Sequence, residues 1–180
     1  PYFRDVLAQE LKKYFKENPK QDGTTYNIYK DGLKIYTTID SRMQRYAEES
    51  VKEHLSSYQK LFSNQYKGSD IFEKGLGKER LALAKRNSDR YRRSKDAGVS
   101  NVEIDKNFST KTKMKVFSWK GQIDTIMTPL DSIKYHMMFL QTGFMAMDPE
   151  NGHIKAWVGG IDFQYLKFDD ANINTKRQVG

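Results

Sequence analysis

Ser57 and Lys60 have the spacing of a serine nucleophile and its lysine base. A lysine three residues after a serine lies one helical turn from the hydroxyl, where its amine can take the proton that activates the serine. The chain contains Ser57-Tyr-Gln-Lys60, but neither a Ser-x-Asn nor a Lys-Thr-Gly element follows it. Because serine acyl transfer normally draws on such further elements, we interpret Ser57 and Lys60 as a solvated helix turn.

The other titratable residues form no catalytic or metal-binding pattern. His54, His136 and His153 are far apart, and none has a carboxylate or a second histidine at a metal-ligand spacing. Glu48-Glu49 and Asp169-Asp170 are adjacent carboxylates, whose side chains point apart on a helix or a strand. The chain has no cysteine, which excludes disulfides and thiolate chemistry. We expect no metal and no cofactor.

Positive charge is concentrated between residues 74 and 95. Nine Lys or Arg stand against two acids there, a difference of seven, and the whole chain has a formal net charge of +8. Such a cluster is typical of a surface that contacts anionic lipid, an acidic protein or nucleic acid, and also of a solvated helix face. Nucleic acid is the weakest interpretation, since no recognition motif is present. The candidate contact residues are Lys78, Arg80, Lys85, Arg86, Arg90, Arg92, Arg93 and Lys95.

Two short strand-like runs flank Asp148-Pro-Glu-Asn-Gly152 near the C-terminus. Pro149 fixes φ for a turn, and the following Asn-Gly pair tolerates positive φ, as a hairpin loop with a bulge requires. In the second run apolar residues alternate with others, which is the period of a half-buried strand. The sequence therefore predicts antiparallel strands over 144–147 and 153–158, ended by Gly159-Gly160.

Several stretches carry a resemblance to a known family. Near the C-terminus they are Met147-Asp-Pro-Glu-Asn-Gly-His-Ile-Lys-Ala-Trp-Val-Gly-Gly160, the Asp-, Phe- and Tyr-containing stretch 162–170, and Lys176-Arg177-Gln178-Val179-Gly180. Together they resemble the entry into the transpeptidase domain of class A penicillin-binding proteins. Residues 1–11 resemble the segment leaving the glycosyltransferase domain of that family, and residues 31–44 resemble the strand and helix that follow. The middle of the chain matches mainly over 114–140.

The resemblance implies where the chemistry of the family lies. In that family the Arg-Gln-x-Gly phrase directly precedes the Ser-x-x-Lys motif with the acylated serine, so we expect that serine just after Gly180, outside this chain. The glycosyltransferase residues would lie in a domain before Pro1. The implied parent is anchored by an N-terminal transmembrane helix outside this chain. It polymerises lipid-linked disaccharide on the periplasmic or extracytoplasmic side and crosslinks stem peptides through a serine acyl-enzyme.

The first third of the chain has clear helical and turn signals. Apolar residues over 2–15 recur at helical spacing and predict a helix. Residues 24–29 and 33–39 read as strands joined by Lys30-Asp-Gly32, which predicts a hairpin. A longer helix is predicted from 42 to about 65, and Ser41 with Gln44 gives it a capping box.

The polar middle of the chain predicts further short elements. We expect one helix over 78–95 and a capped turn from Ser100 to about Phe108. Strands are predicted over 114–119 and 122–127. Thr128 and Pro129 then begin a helix that ends at Thr142-Gly143. A loose coil is expected from Gln164 onward.

Helices thus alternate with antiparallel hairpins, which predicts an α+β fold. We expect a linker over 1–66, a basic, mainly helical insert of loose order over 67–113, strands and a helix of the linker subdomain over 114–142, and the first hairpin of a transpeptidase domain over 143–180, truncated before Ser-x-x-Lys. The hydrophobic content of 37% is low for a compact globule. No apolar run approaches the roughly 20 residues of a membrane-spanning helix.

Three functions are consistent with this sequence. The first is a non-catalytic linker that positions the glycosyltransferase and transpeptidase domains of a bifunctional peptidoglycan synthase. The second is a docking module, in which the basic insert receives a regulatory periplasmic lipoprotein or scaffold protein. The third and weakest is a basic nucleic-acid-binding domain.

Overall fold

A computed structural model describes residues 1–175, which form six α-helices and two antiparallel hairpins. The elements are α1 (Tyr2–Glu17), α2 (Ser41–Gln65), α3 (Gly75–Asn87), α4 (Asp89–Asp96), α5 (Asn101–Ser109), β1 (Thr112–Val116), β2 (Ile123–Met127), α6 (Pro129–Met137), β3 (Phe144–Met147), β4 (Ile154–Val158) and a 3-10 turn (Ile173–Thr175). The predicted α+β class is confirmed. The Lys176–Gly180 phrase lies outside the described residues. No helix within residues 1–175 is both long and apolar enough to cross a bilayer.

The chain divides into two compact units. Unit 1 consists of Pro1–Glu53 together with Gln141–Gly180, and unit 2 consists of His54–Leu140. The chain crosses from one unit to the other twice, and the first crossing, between Glu53 and His54, lies within α2. These units reflect which residues contact each other and do not test functional boundaries. The predicted functional segments ending at residues 66, 113 and 142 therefore stay predictions.

The core of unit 1 is built on the β3–β4 hairpin. The strands pair antiparallel, with an irregularity in register between Ala146 and Met147. The predicted hairpin is therefore confirmed, and the irregularity lies beside its loop. One face of β4 presents Ala156 and Val158, which pack on Ala47 of α2. Small side chains at these positions allow the helix and the strand to approach closely.

The prediction that β4 is half-buried is wrong at its C-terminal end. Trp157 points to the opposite face from Ala156 and is only 9% exposed. Its ring lies 6.2 Å from that of Phe3 in α1, and its indole contacts Asp169. Residues around Asp169, predicted as loose coil, therefore cover the second face of the strand.

The predicted hairpin over 24–39 is also wrong, since these residues form no strand. The Asp31 carboxylate accepts a hydrogen bond from the Asn27 backbone (2.9 Å) and pairs with Lys20 (2.6 Å), which closes a local turn. The chain beyond this turn then continues to the edge of β4, where Thr38 donates to the Ile154 carbonyl. A nonlocal strand edge thus replaces the local partner that the Asp-Gly signal suggested.

Unit 2 has a core of its own around α5. Ile104 and Phe108 are fully buried, together with Val116 of β1. Ser100 caps α5 by accepting from the Glu103 backbone, so the predicted capped element is confirmed. Residues 67–113 therefore supply part of this core, and the expected loose order of the insert stays a prediction.

The single helix predicted over 78–95 is two helices, α3 and α4. Ser88 has extended backbone angles between them. Its hydroxyl donates to the Lys85 carbonyl (2.7 Å) and accepts from the Tyr91 backbone (3.3 Å). One side chain therefore ends α3 and caps α4, since serine competes well for backbone groups at helix ends.

The second hairpin and the start of α6 follow the sequence pattern, but β1 ends at Val116, so the prediction of a strand as far as residue 119 is wrong. β1 and β2 pair antiparallel from Thr112 opposite Met127 to Val116 opposite Ile123. Thr128 caps α6 by accepting from the Asp131 backbone (3.0 Å), as predicted. The helix ends at Met137, earlier than the predicted end at residues 142–143.

Candidate functional site

The side chain of Gln44 in α2 forms hydrogen bonds to β4 of the kind that a neighbouring strand would form. Its side-chain oxygen accepts a hydrogen bond from the Trp157 backbone N–H (2.8 Å), and its amide nitrogen donates to the Trp157 carbonyl (2.9 Å). The same nitrogen donates to Glu48 (2.7 Å). An amide side chain satisfies both main-chain groups of one residue because it carries a donor and an acceptor side by side.

The segment that leads into α2 completes this edge of β4. Thr38 Oγ1 donates to the Ile154 carbonyl (2.8 Å), and the Asp40 backbone N–H donates to the Lys155 carbonyl (2.9 Å). These bonds and the Gln44 pair engage Ile154, Lys155 and Trp157 of the strand. The edge of β4 away from β3 is therefore closed without a third strand.

Asp40, and not Ser41, caps α2. The Asp40 carboxylate accepts from the backbone N–H groups of Arg42 (2.8 Å) and Met43 (3.1 Å). These bonds to the ionised form hold the pKa of Asp40 below its usual value. The predicted capping box is corrected accordingly, because Gln44 is engaged with Trp157 and Ser41 already lies within the helix.

Asp169 is a buried carboxylate with structural partners. It is 8% exposed, and its two oxygens accept from the Trp157 indole N–H (3.0 and 3.3 Å). Its Oδ1 also accepts from the Ala171 backbone (3.0 Å). The neighbouring Asp170 backbone N–H donates to the Gly159 carbonyl (2.7 Å). The pair Asp169-Asp170 therefore fixes the chain against β4.

Tyr2 and two glycines form a tight contact beside Asp169. A Cβ atom on Gly159 would lie 2.4 Å from an Asp169 oxygen, and one on Gly160 would lie 2.5 Å from the Tyr2 hydroxyl. The Tyr2 hydroxyl donates to the Leu166 carbonyl (2.5 Å). Burial, aided by nearby carboxylates, raises the pKa of Tyr2 to about 12. Gly159 and Gly160 therefore allow Tyr2 and Asp169 to pack closely against the end of β4.

Gln59 forms a similar pair of hydrogen bonds within unit 2. We call such a pair, in which one glutamine side chain donates to and accepts from a distant main-chain segment, a glutamine clasp. The side chain is 8% exposed; its oxygen accepts from the Leu140 backbone (2.9 Å) and its nitrogen donates to the Met138 carbonyl (2.9 Å). Met138 is the C-cap of α6, where main-chain carbonyls lack helical partners. Gln59 thus ties the end of α6 to α2 by satisfying main-chain groups that the helix leaves open.

The predicted basic residues are distributed over α3 and α4, and part of them are engaged locally. Lys85 pairs with Asp105 and lies 4.9 Å from the Phe108 ring centroid. Arg92 pairs with Asp89 (2.8 Å). The other members of the set are Lys78, Arg80, Arg86, Arg90, Arg93 and Lys95, of which Lys95 donates to Asn101 (2.6 Å).

The Ser57 and Lys60 pair has no catalytic geometry. Both side chains are exposed on α2, and no hydrogen bond links them within residues 1–175. Glu48 accepts from Gln44, while Glu49 lies 3.9 Å from Arg45. Within residues 1–175, no three or more metal-ligating side chains lie close enough together to hold a metal ion.

Sequence reasoning missed the two glutamine clasps and the role of Asp169. Glutamine is common on exposed helix faces, so Gln44 and Gln59 carry no local signal of their partners. Gln44 and Trp157 are 113 residues apart, and Gln59 and Leu140 are 81 apart. Helical periodicity places both glutamines next to apolar residues of α2, Gln44 one turn from Ala47 and Gln59 one turn from Phe62, and this spacing is the signal that could have marked them as inward-facing.

Comparisons with known proteins find sequence similarity to penicillin-binding proteins. Residues 69–140 match the model of the penicillin-binding protein middle domain. The chain is 42% identical over 178 residues to penicillin-binding protein 2D of Bacillus subtilis (strain 168), covering 99% of this chain and 13% of that protein. It is 29% identical over 164 residues to penicillin-binding protein 1A of Aquifex aeolicus (strain VF5), covering 84% and 22%.

A further relative is penicillin-binding protein 1A of Vibrio cholerae, 24% identical over 192 residues, which cover 84% of this chain and 23% of that protein. The chain therefore spans less than a quarter of the length of these curated relatives. No solved structure matches it.

Proposed function

Because the chain is a linker-region segment of the class A penicillin-binding proteins, we propose that it is a non-catalytic scaffold of a peptidoglycan synthase. It would position the glycosyltransferase and transpeptidase domains of the parent chain on the extracytoplasmic side of the membrane. Those two domains are the partners that we propose. The relatives are penicillin-binding proteins of which this chain covers only a part, so the activity of the whole parent belongs to this proposal.

The length of α2 and the hydrogen bonds of its side chains are the observations that best support a scaffold. A helix of 25 residues is about 38 Å long, which is a suitable length for a spacer between domains. Its side chains Gln44 and Gln59 each bind main-chain groups of a distant segment, and both clasps use a donor and an acceptor. Side chains of α2 therefore hold other segments of the chain in place. Ser57 and Lys60, the candidate catalytic pair on the same helix, make no hydrogen bond to each other.

Lengthening α2 in the full parent enzyme tests the scaffold. Four alanines inserted after Lys52 add about 6 Å to the helix. We expect glycan polymerisation and acylation by penicillin to continue separately, while the crosslinked fraction of newly made glycan falls severalfold because the two reactions lose their spacing. The products are separated by chromatography after muramidase digestion.

The matched control keeps the length of α2 unchanged. It replaces Lys52, Lys60, Asn64 and Gln65, which are exposed on α2, with alanine. Crosslinking should stay at the parental level in this variant. An unchanged crosslinked fraction after the insertion, or an equal loss in the control, would contradict the scaffold.

Docking of a regulatory protein on residues 67–113 is the alternative function. Deletion of that segment does not test it, because Ile104 and Phe108 belong to the core of unit 2. Charge substitutions on α3 and α4 preserve this core. They should weaken the binding of an acidic regulatory protein.

A further inference from the structure

The whole net charge of the chain resides in unit 2. Residues 54–140 contain 17 Lys or Arg against 9 Asp or Glu, a difference of +8. The residues of unit 1 contain 14 of each kind, so their charges cancel. A field of one sign on one part of a chain attracts an anionic partner to that part.

The outer face of α3 combines this charge with exposed leucines. Gly77, Leu81 and Ala84 face inward, and a Cβ atom on Gly77 would lie 1.8 Å from the Ile71 carbonyl oxygen. The residues at 76, 80 and 83, spaced by four and three, share one side of α3, and all three are exposed. Leu76 is 75% exposed and Leu83 is 44% exposed.

Arginines without partners accompany these leucines. Arg80 lies between the two leucines on α3, and Arg86 follows one turn after Leu83. Arg90 and Arg93 lie at exposed positions of α4. Within residues 1–175, no ion pair or hydrogen bond engages any of these four guanidinium groups. Their charge is therefore available to a ligand, unlike that of Lys85 and Arg92.

We propose that this surface binds an anionic phospholipid bilayer. It is called the α3–α4 surface and consists of Leu76, Arg80, Leu83, Arg86, Arg90 and Arg93. Arginines near a membrane surface bind lipid phosphates, and leucines on the same helix face enter the boundary between headgroups and acyl chains. Exposed leucines beside unpaired arginines favour a bilayer over a purely charged polymer, which offers nothing to the leucines. The inference does not depend on the spacer role of α2.

Vesicle sedimentation with the 180-residue chain tests the α3–α4 surface. The chain should sediment with vesicles that contain about three parts in ten of phosphatidylglycerol and stay in solution with pure phosphatidylcholine. Raising NaCl from about 0.1 M to about 0.5 M should release it, because the Debye length shortens. Sedimentation that does not depend on the anionic lipid would overturn the proposal.

Two variants separate charge from insertion. R80Q/R86Q/R90Q/R93Q should weaken binding to anionic vesicles at least about tenfold, and L76S/L83S should weaken it by about tenfold. All six positions are exposed, so helix content measured by circular dichroism should not change.

The controls carry the same changes elsewhere. K13Q/K16Q/K30Q/K34Q removes four exposed cations from unit 1, and Leu61→Ser removes a leucine that is 66% exposed on α2. Both should bind vesicles as the unchanged chain does. Equal losses in the controls would overturn the proposal. So would an L76S/L83S variant that binds normally, and competition by polyglutamate or by polyphosphate would then identify an acidic protein or a phosphate polymer as the ligand.

Discussion

At the scale of single residues, the chain relies on polar side chains that satisfy distant main-chain groups. Gln44 and Gln59 each donate a hydrogen bond to a distant main-chain carbonyl and accept one from a distant main-chain N–H, while Asp169 accepts from the Trp157 indole and from the nearby Ala171 backbone. Buried main-chain groups need such partners, because an unsatisfied one costs about 1–3 kcal/mol. These residues therefore matter to stability although none of them does chemistry.

Gln59→Ala tests this importance directly. The substitution removes the partners of the Leu140 N–H and the Met138 carbonyl, so we expect a loss of about 2–4 kcal/mol in the free energy of unfolding. Gln65→Ala, at an exposed position near the end of the same helix, should change it by less than about 0.5 kcal/mol. Urea unfolding followed by circular dichroism measures both, and equal midpoints for the two variants would refute the clasp.

Tyr2 predicts how stability responds to alkaline pH. Its pKa is raised to about 12 in the folded chain from 10.0, so the folded state binds the phenolic proton more tightly than the unfolded state. The resulting stability is complete below pH 10 and is lost as the pH rises through 12, by about 1–2 kcal/mol.

Tyr2→Phe provides the comparison, since its side chain cannot ionise. The free energy of unfolding of this variant should fall less between pH 10 and 12 than that of the unchanged chain. Tyr135, whose pKa burial also raises, stays in both proteins and contributes equally. Identical pH profiles would show that Tyr2 ionises as freely in the folded state as in the unfolded state.

At the scale of elements, caps decide where helices begin and end. Ser88, Ser100 and Thr128 each accept from a backbone N–H three residues later, and a helix begins after each of them. Local rules predicted two of these starts. The start of α2 differs, because Asp40 is held by the Lys155 carbonyl and supplies the cap itself.

Asp40→Ala should therefore destabilise the chain more than Ser41→Ala does. Alanine at position 40 leaves the Arg42 and Met43 N–H groups without their acceptor, whereas Ser41 caps nothing. The effect of Asp40 should fade in acid. Its folded pKa is depressed, so its contribution is present above the unfolded pKa and is lost as the pH falls through the folded value. Thermal unfolding at neutral and acidic pH measures both, and a larger effect of Ser41→Ala would restore the capping box.

At the scale of the whole molecule, two compact units divide the properties of the chain. Unit 1 is electrically balanced and holds the β3–β4 hairpin, while unit 2 holds the middle domain and the excess positive charge. This separation agrees with a scaffold that has different neighbours along its length. It also limits the proposed membrane contact to one unit.

We predict that the chain alone forms no acyl-enzyme. A fluorescent penicillin incubated with the 180-residue chain should give no covalent band on a denaturing gel, because Ser57 and Lys60 are exposed and make no hydrogen bond to each other. A full-length penicillin-binding protein, labelled under the same conditions, is the positive control. Stoichiometric labelling that disappears in Ser57→Ala would show that this serine is a nucleophile.

The sequence by itself determined the local structure and the excess of positive charge. Hairpins at residues 144–158 and 112–127 and the start of α6 at Thr128 follow from turn, alternation and capping residues that interact within a few positions of one another. The family resemblance also rested on continuous stretches of sequence. Such features can be predicted because their physical causes are close together in the chain.

Only the tertiary structure decided which groups meet across long separations. Thr38 meets Ile154 at a distance of 116 residues in sequence, and this contact replaced the hairpin predicted from Asp31-Gly32. Trp157 became buried on its second face once Asp169 folded back onto it. A local pattern carries no information about such partners, because their energy comes from burying distant main-chain and side-chain groups together.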